Sequence, residues 1–232
     1  MKKVIFFLIL LLMPASFYAE SYTSLWKKVA EAQSKDLPQT QMECLGRIIS
    51  KAENEKQYGH LLKAQLQQAA VQTQISPDSL TIEIDRLVQK AENAKDEVLR
   101  AVYASVLGKV YQQQEDTDAE QKSKMWFARS MANPKLLAEH KSEEYSPAIA
   151  EGIDSKIFYN DLLHVIGFEA KDYNTLHRYY SQSGNRAAAC ITALCQLREN
   201  SDENVMDARK SKFLQKIDSL INVYGEIGRA HV

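Results

Sequence analysis

The stretch Ser24–Leu66, SLWKKVAEAQSKDLPQTQMECLGRIISKAENEKQYGHLLKAQL, constrains the fold of this chain more than any other segment. Apolar residues recur there at helical spacing: Leu25, Val29 and Ala32, then Met42, Leu45, Ile49 and Ala52, then Leu61, Leu62 and Leu66. Each stripe covers one face of a helix and has to be buried against a neighbour. Between the first two lies Asp36-Leu37-Pro38, where Asp36 is an N-cap candidate and Pro38 falls where a first helical turn tolerates proline. The spacing predicts two or three amphipathic helices. A short helix, a tight polar corner and a longer helix is the pattern of stacked helix pairs.

The remainder of the chain extends this pattern. Ser76-Pro77-Asp78 reads as a helix start, with Leu80, Ile84, Leu87, Val88 and Ala91 on one face. The alternation Ile82-Glu83-Ile84 also fits a short strand, although no partner strand is evident nearby. Glu97 to Gln114 carries Val98, Ala101, Val102, Ser105, Val106 and Val110 at helical spacing. Within it, Ala104-x-x-Leu107-Gly108-x-x-Tyr111 fits the W-x-x-L-G-x-x-Y line of a tetratricopeptide helix, with alanine in place of tryptophan. Trp126 and Pro134 then fall where the second helix and its terminal proline would sit, if the loop at Glu115–Asp118 carries two extra residues. Small Gly108 permits close helix approach there, and Tyr111 fills the groove.

Residues 133–155, with Pro134, Pro147 and Gly152, form the least periodic segment and read as a hinge or long loop. Beyond it, Ile157–Phe168, Tyr173–Ser181 and Arg186–Leu197 read as helices, with Gly184-Asn185 as a corner. Asn204 to Tyr224 is a last amphipathic helix, stopped by Gly225. The expectation is an all-α fold of about nine helices, stacked as antiparallel pairs in a tetratricopeptide-like α-solenoid. Few glycines (8) and prolines (5) in 232 residues agree with long helices over a turn-rich β architecture.

The ends of the chain carry their own signals. Lys2-Lys3 followed by the apolar run Val4–Met13 has the form of a secretory signal, too short for the roughly 20 residues that span a bilayer. Pro14 interrupts the run, and Ala15, Ser16 and Ala19 supply small residues at a cleavage site, after Ala19 or alternatively Ala15. Residues 1–19 are therefore expected to be a signal peptide, 20–225 the helical region of a longer exported protein, and 226–232 a non-native tail. That tail, Glu-Ile-Gly-Arg-Ala-His-Val, resembles an in-frame translation of a sequencing adapter. The expected location is the periplasm or cell envelope.

Setting aside Lys2 and Lys3 leaves 27 basic against 30 acidic residues, a net charge of −3. Interspersed charges at that balance give no footprint for nucleic acid or an anionic membrane, so the expected partners are proteins. The three cysteines do not form an evident disulfide framework. Cys190 and Cys195 are five apart on one helix, about 7.5 Å along its axis, at the edge of what a disulfide bridges. They and Cys44 are expected to be buried free thiols.

Reactive motifs are sparse. H-E-x-x-H, G-x-S-x-G, the phosphate-binding G-x-x-x-x-G-K-[ST] and paired C-x-x-C are absent from the sequence. The best polar cluster is Asp161, His164, Glu169 and His177, a set that a transition metal or a hydrolytic centre would use. Leu162, Leu163, Val165 and Ile166 surround His164, which favours a histidine packed between helices. No catalytic, cofactor-binding or metal-binding residue is assigned. Tyr173, Tyr179, Tyr180, Trp126 and Phe127 are read as packing between hairpins, with a ligand groove as the alternative. Trp26 is expected to seal the N-terminal end of the stack.

Several separated runs carry a resemblance. SLWKKVAEAQSKDLPQT followed by KQYGHLLKAQ, then LRAVYASVLGKVYQQ, then DLLHVIGFEA followed by GNRAAAC, resemble the N-terminal region of large alpha-2-macroglobulin-like proteins of Bacteroidetes-type bacteria. The resemblance implies an exported, non-catalytic helical region that positions or docks a proteinase inhibitor. Its partners would be downstream domains of the same chain, proteinases or envelope proteins. The Cys-Gly-Glu-Gln thioester of trapping members is absent: none of Cys44, Cys190 and Cys195 is followed by Gly-Glu-Gln. The alternative is a secreted tetratricopeptide-like adaptor for a protein or peptide partner.

Overall fold

The computed structural model describes residues 20–114, 117–152, 154–199 and 207–225. Readings for residues 1–19, 204–206 and 226–232 lie outside the described residues. Among those described, the chain forms eleven α-helices and no strand. They are α1 (Tyr22–Ser34), α2 (Pro38–Glu55), α3 (Tyr58–Ile75), α4 (Leu80–Asn93), α5 (Glu97–Gln112) and α6 (Thr117–Ser130). The others are α7 (Pro134–Glu139), α8 (Leu162–Glu169), α9 (Tyr173–Gln182), α10 (Arg186–Glu199) and α11 (Asp207–Tyr224). None is long and apolar enough to cross a membrane. Ile82 and Ile84 belong to α4, so the strand alternative does not form.

Helices that follow one another in the chain make the most extensive contacts, α5 with α6, α2 with α3, and α9 with α10 foremost. The apolar stripes therefore find their cover locally. Leu25 and Val29 of α1 pack with Cys44, Leu45 and Ile48 of α2 and with Ala64 and Val71 of α3. Ile48, not Ile49, takes the centre of the α2 stripe; it has no exposure, and Ile49 is half-buried. A second, larger core starts at Leu62 on the same α3 and continues through α5, α8, α9 and α10. Helix α3 thus forms a wall of both cores. It continues through the glutamine-rich run to Ile75 because Val71 is buried there, while Gln65, also buried, accepts the Tyr103 hydroxyl proton at 2.6 Å.

Corners show where local chemistry differs from expectation. Pro38 opens α2 as anticipated, but Leu37 holds the N-cap position and makes no side-chain cap. Asp36 instead takes a left-handed conformation (φ 52°), which aspartate tolerates better than most side chains. The segment read as one helix from Ile157 is broken: a 3₁₀ turn, Ser155–Phe158, precedes left-handed Tyr159 and Asn160, and α8 starts anew after them. The 133–155 segment holds α7 and the 3₁₀ turn Ser142–Tyr145. Gly184 turns the corner before α10 with φ 78°, and Asn185 caps α10 by accepting the Ala188 N–H at 3.2 Å.

At the N-terminal end, Trp26 is half-buried. Its indole N–H donates to His60 Nδ1 at 2.8 Å, and Tyr22 stacks on the same imidazole with centroids 3.9 Å apart. Glu20 ties α1 to α2 by pairing with Lys28 at 2.7 Å and with Arg47. All three cysteines are free thiols; Cys44 is buried, whereas Cys190 and Cys195 are half-buried on α10.

Candidate functional site

The four polar residues singled out in the sequence do not converge. Asp161 is the N-cap of α8, 2% exposed, and its Oδ1 accepts the His164 backbone N–H at 2.9 Å. The same oxygen lies 3.1 Å from His164 Nδ1. A carboxylate can only accept, so Nδ1 carries the proton. His164 is 6% exposed and stacks on Phe158 at 5.1 Å. Tyr180 closes the cluster from α9. Burial, and after it the Asp161 carboxylate, push its phenol far above the ordinary range, so it remains a donor.

Glu169 pairs instead with Lys109 at 2.8 Å, and His177 donates through Nδ1 to the Ala189 carbonyl at 3.0 Å. Among the described residues no group of three or more His, Cys, Asp or Glu side chains is placed to hold a metal. A cavity of about 320 Å³ lies beside His164, walled by Phe158, Val165, Phe168 and Ile191. Yet His164 Nε2 has no partner and essentially no accessible surface, so a molecule in that cavity does not reach it. The centre is a locked packing element of the α8–α9 junction.

A different feature is open to a ligand: a groove of about 370 Å³ where α4, α5, α6 and α7 meet. Its floor is small and apolar. Ala91 of α4 and Ala104 of α5 are 1% and 2% exposed, and Ala101 and Leu136 are half-buried at the sides. Trp126 of α6 forms one wall, with the Arg129 guanidinium 4.6 Å over its ring. Glu92, Glu97, Arg100 and Asn133 form the rim.

The α5–α6 pair that lines this groove is closely packed. A Cβ placed on Gly108 would lie 2.7 Å from the Phe127 ring, so only glycine lets the two helices approach this closely. Ser123 donates to the Gly108 carbonyl at 2.8 Å across the same contact. Tyr111 is buried alongside. Asn133 caps α7 by accepting the Leu136 N–H at 3.3 Å and donates to Glu97 Oε1 at 3.1 Å, tying α7 to α5. Sequence reasoning placed Trp126 and Ala104 without joining them. The alanine at the tryptophan position was the available signal.

Comparison with protein families, with curated proteins and with solved structures finds no match. The described residues form an all-helical fold with a depression of about 370 Å³ where α4, α5, α6 and α7 meet.

Proposed function

We propose that the chain is a non-catalytic helical scaffold, the N-terminal region of an exported alpha-2-macroglobulin-like proteinase inhibitor, positioning or docking the inhibiting part. Its helices are read as antiparallel pairs in a tetratricopeptide-like stack. The supporting observation is α3, which is a wall of two successive cores, as a middle element of a stack must be. The resembling sequence blocks fall on α1–α3, α5 and α8–α10, which contribute to these cores together with α4, α6 and α7. Expressing the product of the complete reading frame tests the proposal. Macroglobulin-type β-sandwich domains following the helical region support it, and their absence rejects it.

The groove between α4 and α7 favours a second reading, an exported adaptor that grips a partner polypeptide by itself. Residues 20–225, expressed alone, bind a partner with undiminished affinity under this reading. Under the first, docking requires the downstream domains.

A further inference from the structure

We infer that α1 is a proton-released clasp: protonation of His60 loosens its hold on α2 and α3, so that acid uncovers an apolar seam which the neutral chain keeps closed. Three helices build the core at this end. Leu25 and Val29 of α1 cover Cys44, Leu45 and Ile48 of α2 and Ala64 and Val71 of α3. The corner that has to turn is short, Lys35–Leu37, and holds Asp36 in the left-handed region at φ 52°. Trp26 ties α1 to α3 through His60, and Tyr22 ties it to α2 by donating to Glu55 at 2.9 Å.

The trigger is a single atom. An indole N–H only donates, so the 2.8 Å bond from Trp26 marks His60 Nδ1 as the bare nitrogen and leaves the proton of the neutral ring on Nε2. A second proton has to enter at Nδ1, and two N–H groups then face each other where one bond stood. The charges around the ring come from both neighbouring helices and from its own. Lys63 of α3 lies 4.8 Å over the Trp26 ring, and Lys51 of α2 lies 5.1 Å over the Tyr22 ring that stacks on the imidazole. Glu55 of α2 is the opposing charge, but it already accepts from Tyr22 and, at 2.6 Å, from Lys51. Partial burial first and Lys63 second outweigh it and lower the His60 pKa. With α1 lifted, His60 is in water and binds the proton more tightly, so acid favours the open form. Burial of Leu25 and Val29 opposes opening. The response is therefore graded, and one proton raises the open fraction by at most about tenfold per pH unit.

Cys44 reports the opening, because it is a free thiol buried under α1. Residues 20–225 are treated from pH 7.5 to 5 with 4,4′-dithiodipyridine, a disulfide that reacts with thiols in mild acid. Peptide mass spectrometry reads the label on each cysteine, and each rate is divided by that of a short unstructured cysteine peptide at the same pH. Protection of Cys44 should fall on acidification, while that of Cys190 and Cys195 on α10 stays level. His60→Asn supplies an acceptor that does not titrate and should leave Cys44 protection independent of pH, at whatever level it takes. Lys63→Gln removes a cation facing the ring and should shrink the fall, a second test should His60→Asn not fold. Constant Cys44 protection across the range, an undiminished fall in either variant, or a parallel fall at all three cysteines overturns the inference. None of these outcomes bears on the downstream domains, which decide the scaffold reading.

Discussion

The Tyr180 hydroxyl lies 2.9 Å from each carboxylate oxygen of Asp161, with both residues sealed from solvent at the junction of α8 and α9. Besides Tyr180, His164 supplies two N–H donors to this carboxylate. Tyr180→Phe keeps the ring packing against Phe158 and removes one charge-assisted bond from a buried anion. It should destabilise the chain by about 2 kcal/mol in urea unfolding. Asp161→Ala removes the α8 cap as well and should be worse. An unchanged midpoint for Tyr180→Phe would show that the carboxylate does not depend on this donor.

Glycine substitutions separate crowded from open helix positions. A Cβ on Gly59 would come within 2.1 Å of the Ser146 carbonyl oxygen, a backbone atom with little room to give. Gly59→Ala should therefore break the packing of α3 on the Ser142–Tyr145 turn and cost about 3 kcal/mol or more, at the upper end of overpacking penalties. Gly46, inside α2, faces nothing within 4 Å, and Gly46→Ala should stabilise by about 0.5–1 kcal/mol through helix propensity alone. Thermal melts of the two variants read opposite signs. Equal shifts would contradict the packing.

At Gly108 the obstacle is a side chain. Gly108→Ala should destabilise by about 1–3 kcal/mol through contact with the Phe127 ring. Phe127→Leu shortens that ring, so in a double-mutant cycle the two changes should couple favourably. Strict additivity would mean that the helices separate instead of clashing.

Much of the fold was legible because helical stripes are local. Leu25, Val29, Ala32, Leu45 and Ala52 are buried as their spacing requires, and Pro38 and Gly184 mark true corners. What escaped depends on tertiary placement or on rare backbone conformations. Tyr159 and Asn160 adopt the left-handed region without a glycine to announce it, so one expected helix became two elements. Leu80 belongs to the predicted α4 stripe yet is 46% exposed at the first residue of the helix, whereas Ile84, Leu87 and Ala91 on the same face are buried. His164 was correctly read as a packed histidine. Its partner Tyr180 comes from the next helix, which spacing within α8 does not reveal. The groove needs four helices to meet, and Ala104 alone does not describe one.

His60 gives the N-terminal end a pH dependence. Partial burial first, and Lys63 second, lower its pKa from the usual 6.5, while Glu55 opposes them. The unfolded chain thus binds a proton more readily than the folded one. His60 stabilises the fold fully above about pH 6.5, and that contribution is lost as pH falls through its lowered folded value. Protonation at Nδ1 also removes the acceptor for the Trp26 indole, beside Tyr22 and the Lys51 and Lys63 ammonium groups over the neighbouring rings. In a Trp126→Phe background, Trp26 fluorescence should report loosening of α1 on acidification from pH 7.5 to 5. Glu20 and Glu55, whose carboxyls are held below 4.5 chiefly by Lys28 and Lys51, should lose their contribution only at lower pH. His60→Asn should remove the upper transition, and its persistence would assign it elsewhere.

Native-state hydrogen exchange on residues 20–225 addresses the stacked scaffold most directly. With α3 walling two cores, the account predicts graded opening: α1 and α2 exchange through a lower-energy partial unfolding, while α5, α8 and α9 exchange only with the larger core. A single exchange free energy shared by every helix would mean one indivisible globule and would contradict the stack.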